Sequence, residues 1–451
     1  MSGMSGIIYM DCTETVTSYM NTGIQRNVVN IMQRTKVLRA EHALVVIPVV
    51  SLNGRFYKYN YTNRRKKVAR LLSRIFNNGR NFVDRLFEKK QGRTPSAPGN
   101  NVRISAGPSH TGIIEICRAI MPFFFFTAHV LDRSLLEYRP ITVNSDDIIF
   151  FADSFWNTET RKTIAAYGDA TKILLLYDII PIHRPELCDD VHVATFTRNF
   201  EEVVEHVAGI ITISCSEKDS VQAFLAAQGK KDPAMLLDYY YLGGDFAPVH
   251  QVTAKIRDEV RRAMSTHSTF LMVGTVEPRK NHAFVLDAFE ELWRRGEDVS
   301  LCIVGKPGWK CYDLLQRIRS HTHLGSGLYY FQDANDQELA YCYEHCTAVV
   351  FASVAEGFGL PLVEAMSYGR NVLASDIPVF REIGGDYPIY FPLDDVNALE
   401  RCLHEYSQGG YEQRPPRQWL SWDETVLSLF GKIVRMAAES KQRRDMHSVL
   451  Q

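Results

Sequence analysis

No apolar run in the chain reaches the eighteen or so residues that a membrane-spanning helix needs. The greasiest stretch, "IMPFFFFTAHVL" (120–131), is too short, contains Pro and His, and reads as a buried strand or helix. No secretory signal is visible, because a short polar start leads at once into the strand-like "IIYMD" (7–11). Neither sign of charge prevails: 51 Lys and Arg stand against 52 Asp and Glu, a net charge of −1. That balance argues against a dedicated nucleic-acid binder, while leaving room for a local basic patch. The cysteines make no disulfide framework either. There are nine, an odd and scattered set, several of them within apolar runs, which suits reduced thiols packed in a cytosolic protein. Cys342 and Cys346 lie four apart with His345 between, but no second ligand pair of matching spacing accompanies them, so a metal site is not expected there. Asp-x-Asp does not occur; "SDD" (145–147) and "LDD" (393–395) read as caps or turns.

What is present is an ordinary globular composition, 45% apolar and 23% charged over 451 residues, enough for two or three domains. In the second half, "TFLMVGTV" (269–276), "VSLCIVG" (299–305), "LYYFQ", "TAVVFAS", "NVLASD" and "YPIYF" read as strands with helices between, among them 281–295 and one near 311–320. The first half repeats the rhythm with "IIYMD", "ALVVIPVV", "DIIFFAD", "KILLLYDIIP", "GIITIS" and "LLDYYYLG". Apolar strands alternating with helices of ten to fifteen residues indicate doubly wound parallel sheets. The expected fold class is therefore α/β, two Rossmann-like domains facing each other across a cleft. The change-over falls at "YLGGDFAPVH" (241–250). The expected domains are 1–248 with an insert at about 51–110, then 249–425, then a helix at 426–451 packing back on the first domain.

Ligands of such sheets bind beyond the carboxyl ends of the strands. Three strand-to-helix junctions carry suitable residues. After "FLMVGTV", Arg279 and Lys280 place two adjacent cations where a diphosphate would sit. After "AVVFAS" comes "AEGFGLPLVEA" (355–365), in which Gly357 and Gly359 disfavour one continuous helix. Pro361 marks the first helical position, leaving Glu356 on a loop and Glu364 in the first turns. The amides of Phe358, Gly359 and Leu360 then point out of a helix start, a ready anion site. At the third junction Gly23 opens the helix that follows the first strand, with Thr22 as its N-cap.

With these residues in view, the chain resembles the retaining nucleotide-sugar glycosyltransferases of the GT-B fold, glycosyltransferase family 4, and within them the bacterial O-antigen and exopolysaccharide mannosyltransferases. The Glu-x7-Glu hallmark of that family is matched by Glu356 and Glu364, and further matches are "TGIQR" (22–26), "YDIIPIHRPEL" (177–187), "ITISCSEKDS" (211–220), "VGTVEPRKN" (273–281) and "VGKPGW" (304–309). The resemblance implies that Glu364 meets the ribose, that Arg279, Lys280 and the amides at 358–360 hold the diphosphate, and that Glu356 contacts the donor sugar. It implies that the loop at Gly23 closes over the diphosphate and that Asp178 faces the acceptor. Two departures stand out. Thr275 occupies a position where many relatives carry Arg, and Ala352, Ser353 and Ala355 replace a Pro-Ser-aromatic run. The implied activity is retaining, metal-independent transfer of a sugar, mannose from GDP-mannose, onto a lipid-linked or growing bacterial polysaccharide, with no cofactor. The alternatives are the same chemistry with another nucleotide sugar, such as rhamnose or glucose, and a non-catalytic binding protein of GT-B type. The second should have lost at least one of Glu356, Arg279, Lys280 and Glu364.

Residues 55–93 hold thirteen Lys and Arg against Asp84 and Glu88, with apolar residues at helical spacing from Val68 to Phe87. The expectation is an amphipathic segment that either lies on an anionic membrane surface or packs on the domain. The expected location is the cytoplasm, and the inner face of the membrane in the first of those two cases.

Overall fold

A computed structural model describes residues 6–17, 23–42, 44–60, 136–156, 158–168, 170–229, 235–244, 256–265 and 268–449. The basic stretch beyond residue 60, the apolar stretch 120–131 and Thr22 lie outside the described residues.

Two sheets organise the chain. The first contains β1 (Ile8–Asp11), β2 (Val46–Leu52), β3 (Arg55–Tyr59), β4 (Leu136–Pro140), β5 (Ile148–Phe151), β6 (Thr171–Leu176), β7 (Gly209–Thr212) and β8 (Leu236–Tyr239) in the order β4-β3-β2-β1-β5-β6-β7-β8. The second contains β9 (Ser268–Val273), β10 (Val299–Val304), β11 (Leu328–Phe331), β12 (Ala348–Phe351), β13 (Asn371–Ser375) and β14 (Ile389–Phe391) in the order β11-β10-β9-β12-β13-β14. All neighbours in the second sheet run parallel. Its central strands are buried throughout, as unbroken apolar runs such as "AVVF" require when helices cover both faces.

The first sheet departs from the parallel expectation at one edge. β2 turns back into β3, and β4 adds to β3, both antiparallel. The cause is Asn53-Gly54, whose φ angles of 51° and 74° form a tight two-residue reversal. The start of the basic stretch, Arg55–Tyr59, is therefore strand.

Helices follow their strands for legible reasons. His282–Arg294 buries Val285, Leu286, Phe289, Leu292 and Trp293, one face at helical spacing. Asp336–His345 starts from a capping box in which Asn335 and Glu338 satisfy each other's backbone amides. The last helix, Trp422–Val449, lies against the first sheet, with Lys432 on Asp238 at 2.7 Å and Phe430 edge-on to Phe150. One apolar cluster, from Met10 and Ile173 through Phe358 and Val363 to Leu429, runs through both domains. Among the described residues no helix is long and apolar enough to cross a membrane.

Candidate functional site

The loops at the carboxyl ends of the two sheets meet. Ser214, just past β7, donates its hydroxyl to the carbonyl of Gly357, past β12, at 2.8 Å. Trp309, past β10, donates its indole N–H to the carbonyl of Leu187 at 2.8 Å, and Lys310 pairs with Asp190 at 3.1 Å. Glu382 of the second domain accepts from the amides of Cys215 (2.6 Å) and Ser216 (2.7 Å), which open the helix Cys215–Ala227 of the first. A carboxylate at a helix start satisfies free amides and the positive end of the helix dipole together. Ser214 caps the amide of Glu217 from within the helix start, and Glu382 adds a second cap from across the domain boundary.

At the centre of this seam Arg279, Lys280 and Glu356 form one group. "PRK" (278–280) is a single 3₁₀ turn ending at Asn281, which takes a left-handed φ of 57° before the next helix begins. That turn aims both cations at the loop after β12. Arg279 Nη1 lies 2.7 Å from Glu356 Oε2, and Lys280 Nζ contacts Glu356 Oε1. Ser353 Oγ donates to the same Oε1 at 2.8 Å, and Glu277 Oε1 sits 2.5 Å from Arg279 Nε. Burial pushes the Glu356 carboxyl up, but Arg279 and Lys280 together pull it down to about 2. Burial pushes the Lys280 ammonium down, Arg279 adds to that, and Glu356 opposes both. Four charged groups thus hold one another in a nearly dry setting, where removing any one leaves an unpaired charge.

Backbone packing keeps the turn in place. A Cβ on Gly305 would stand 1.8 Å from the carbonyl oxygen of Gly274, so the loops after β9 and β10 touch backbone to backbone beside Lys280. Thr275, where the resemblance led one to expect Arg, is exposed.

The other expected residues divide into two sets. Asp178 lies past β6 and accepts from the amide of Ile180 at 3.2 Å. Burial raises its carboxyl, while Arg279 is the strongest opposing charge, which places it against the central group from the other domain. Glu356, Arg279, Lys280, Gly357 and Asp178 are therefore brought together. Glu364 stands apart, the fifth residue of the helix Leu360–Ser367, whose first turn contains Pro361 one position later than expected. Its Oε2 accepts from Tyr343 OH at 2.9 Å and its Oε1 faces Arg26 of the first domain at 3.4 Å. Among the described residues no backbone acceptor takes the N–H of Phe358, Gly359 or Leu360. The Phe358 side chain is buried, 6.0 Å from the Trp419 ring. Gly23 is the exposed first residue of the helix Gly23–His42, the helix that carries Arg26.

Sequence reading missed Glu277, Ser353, Tyr343, Arg26 and Glu382 as parts of this seam. Glu277 lies inside the quoted "VEPRKN", so proximity to Arg279 was a usable signal. Tyr343 sits on a helix remote in sequence from its partner, and nothing local marks it. Cys342 and Cys346 are buried in the core, His345 bonds the carbonyl of Tyr341, and among the described residues no three His, Cys, Asp or Glu could hold a metal.

Glu217, in the first turn of the helix capped by Glu382, gives a pH-dependent expectation. Burial, and then the charge of Asp178, raise its carboxyl from 4.5 to about 8. A carboxyl raised in the folded state costs nothing below its unfolded pKa and progressively destabilises as pH climbs towards the folded one. Wild-type stability should fall between about pH 4.5 and pH 8 through this group. Glu217→Gln can still accept from the amide of Ile179. It should unfold like wild type at pH 4.5 and be more stable by roughly 1 kcal/mol or more at pH 8, read by denaturant midpoints.

Residues 255–407 match the family described as glycosyl transferases group 1. The serotype-specific mannosyltransferase WbdA of Escherichia coli is 33% identical over 318 residues, 67% of this chain and 39% of WbdA. The O-antigen chain mannosyltransferase RfbU of Salmonella typhimurium is 30% identical over 251 residues, 55% of this chain and 64% of RfbU. The chain thus spans well under half the length of the WbdA relatives that it matches. Among solved structures, Anabaena HepE in complex with UDP and glucose superposes with a TM-score of 0.51 at 13% identity, covering 98% of this chain and all of HepE. Sucrose-phosphate synthase from Thermosynechococcus elongatus also scores 0.51, at 14% identity with 99% of each chain covered. The two facing α/β domains therefore have the GT-B fold, and residues 255–407 of this chain form a domain of the glycosyl transferases group 1 family.

Proposed function

We propose that this chain is a retaining, metal-independent glycosyltransferase that moves mannose from GDP-mannose onto a lipid-linked or growing bacterial surface glycan. The observation that carries the reading is the group Arg279, Lys280 and Glu356, which faces Asp178 across the seam of the two domains. Transfer from a nucleotide sugar breaks the bond between the anomeric carbon and the β-phosphate oxygen. Negative charge then grows on the phosphate and positive charge on the sugar. Two fixed cations and the amides at 358–360 answer the first, already oriented before the bond lengthens. Glu356 holds both cations in place and directs its remaining lone pairs to the sugar. Glu364 takes the ribose hydroxyls and the loop at Gly23 covers the diphosphate. The acceptor hydroxyl enters on the face the phosphate leaves, its proton passing to the departing phosphate oxygen, and Asp178 orients that hydroxyl. Configuration is then retained without a covalent enzyme intermediate. Neutralisation by Arg279 and Lys280, in a sequence without Asp-x-Asp, supports independence from a divalent metal. The mannose donor and the glycan acceptor rest on the similarity to WbdA and RfbU. The thirteen cations of residues 55–93 would bring a cytoplasmic protein to the anionic membrane surface where a lipid-linked acceptor resides.

A donor panel tests the reading. Nucleotide release is measured from GDP-mannose, UDP-glucose and TDP-rhamnose with mannosylated acceptors, in the presence of EDTA. Release of GDP from GDP-mannose alone, lost in Glu356→Gln, is the expected result. Release from a different donor would replace mannose, and no nucleotide bound or released from any donor would overturn the enzyme assignment.

A further inference from the structure

Arg26 is the one side chain of the first domain that pairs with a member of the Glu-x7-Glu motif among the described residues. It lies in the first turn of the helix that opens at Gly23 and is half-exposed, while Glu364 is buried. The contact is loose and partial. Arg26 Nη2 stands 3.4 Å from Oε1, whereas Tyr343 holds Oε2 at 2.9 Å. Burial raises the Glu364 carboxyl, and Arg26 is the largest influence opposing that rise. Arg26 also lines a small cavity between the domains together with Asn30, Arg34, Leu360 and Trp422. Leu360 is the first residue of the helix that carries Glu364, four positions and hence about 6 Å along the helix axis from it. The same guanidinium therefore has access both to Glu364 and to the start of that helix, where the amides are free to meet an anion.

We propose that Arg26 is a donor-binding residue supplied by the opposite domain, which occupies Glu364 in the empty enzyme and passes to the diphosphate when a nucleotide sugar seats. This rests on the donor-site reading above. A ribose hydroxyl reaching Oε1 takes the place of Arg26 on the carboxylate, and the released cation finds two phosphate charges within one helical turn. Arginine suits the exchange because its planar fork matches carboxylate and phosphate alike, while lysine offers one point charge. The exchange couples occupancy to closure, since the cation and the carboxylate belong to different domains. It also supplies a third cation to the site, beside Arg279 and Lys280.

Calorimetry with GDP, UDP, GMP and UMP distinguishes the outcomes in wild type, Arg26→Ala, Arg26→Lys and Lys280→Ala. For whichever base binds, Arg26→Ala should weaken the diphosphate about tenfold or more, as the loss of one charge-assisted contact does. The monophosphate should bind as in wild type or tighter, because Glu364 is no longer occupied. Arg26→Lys should recover part of the diphosphate affinity. Unchanged diphosphate affinity in Arg26→Ala, beside a clear loss in Lys280→Ala, would overturn the Arg26 proposal and leave the donor site standing. An equal loss for diphosphate and monophosphate would also overturn it, since a disturbed interface alone would do that. Absence of any nucleotide binding by wild type would remove both readings together.

Discussion

Lys280→Ala should release nucleotide from the donor about 10²–10³-fold more slowly than wild type, the cost of removing one preorganised group that stabilises developing charge. The argument starts from its confinement. Lys280 is buried, its ammonium contacts Glu356, and burial lowers its pKa while the carboxylate opposes that shift. A buried cation beyond the carboxyl ends of a doubly wound sheet suits a negative ligand, which is the role proposed for it. The substitution also leaves Glu277 and Glu356 with Arg279 as their remaining cation, which should lower stability by roughly 1–3 kcal/mol. The two effects are separable. Thermal melts report the second, and initial rates on folded protein report the first. Lys280→Arg should not restore the rate, because the lysine stem runs beside Gly274, where even a Cβ would lie 3.3 Å from Lys280 Cε, and a guanidinium fork has no room. A folded Lys280→Ala with wild-type rates would end the phosphate role of this residue.

Gly357→Ala should lower kcat/KM by about 10²-fold while leaving each domain folded. Gly357 has no left-handed φ, so alanine meets no backbone strain there. The obstacle is the other domain. The added methyl would stand 2.5 Å from the carbonyl oxygen of Tyr177 and 3.3 Å from Asp178 Cβ. Neither strand end can yield easily, and the Ser214 hydrogen bond to Gly357 would be lost as the domains part. Asp178 would then be displaced from Arg279 and Glu356 by a distance comparable to a methyl radius, enough to spoil an alignment that transfer requires. Small-angle scattering should report a larger radius of gyration with an unchanged melting temperature of the second domain. A variant with wild-type scattering and wild-type rates would show that the described closure is not the active arrangement.

The alternation of apolar strands and helices was readable because β9, β10 and β12 are buried on both faces and helices such as His282–Arg294 bury one face. Period and length then identify each element without tertiary knowledge. The antiparallel edge at β3 and β4 departs from the parallel expectation because Asn53-Gly54 closes a hairpin at the start of a basic stretch whose spacing otherwise suits a helix. Arg279, Lys280 and Glu356 could be named from their places after strands, since topology dictates that such loops share one end of a sheet.

Residue type, spacing and strand position were thus enough to name the carboxylates, the cations and the glycine-rich turn, because these are local properties of strand–loop–helix junctions. The pairing of those groups needed the folded chain. Glu356 is bound to both cations and to Ser353, Glu364 is shared between Tyr343 and an arginine 338 positions away, and Glu382 caps a helix of the other domain. Of these contacts, Glu364 with Arg26 and Glu382 with Cys215 and Ser216 arise only when two independently patterned sheets are brought face to face, while the others follow from strand order within the second domain.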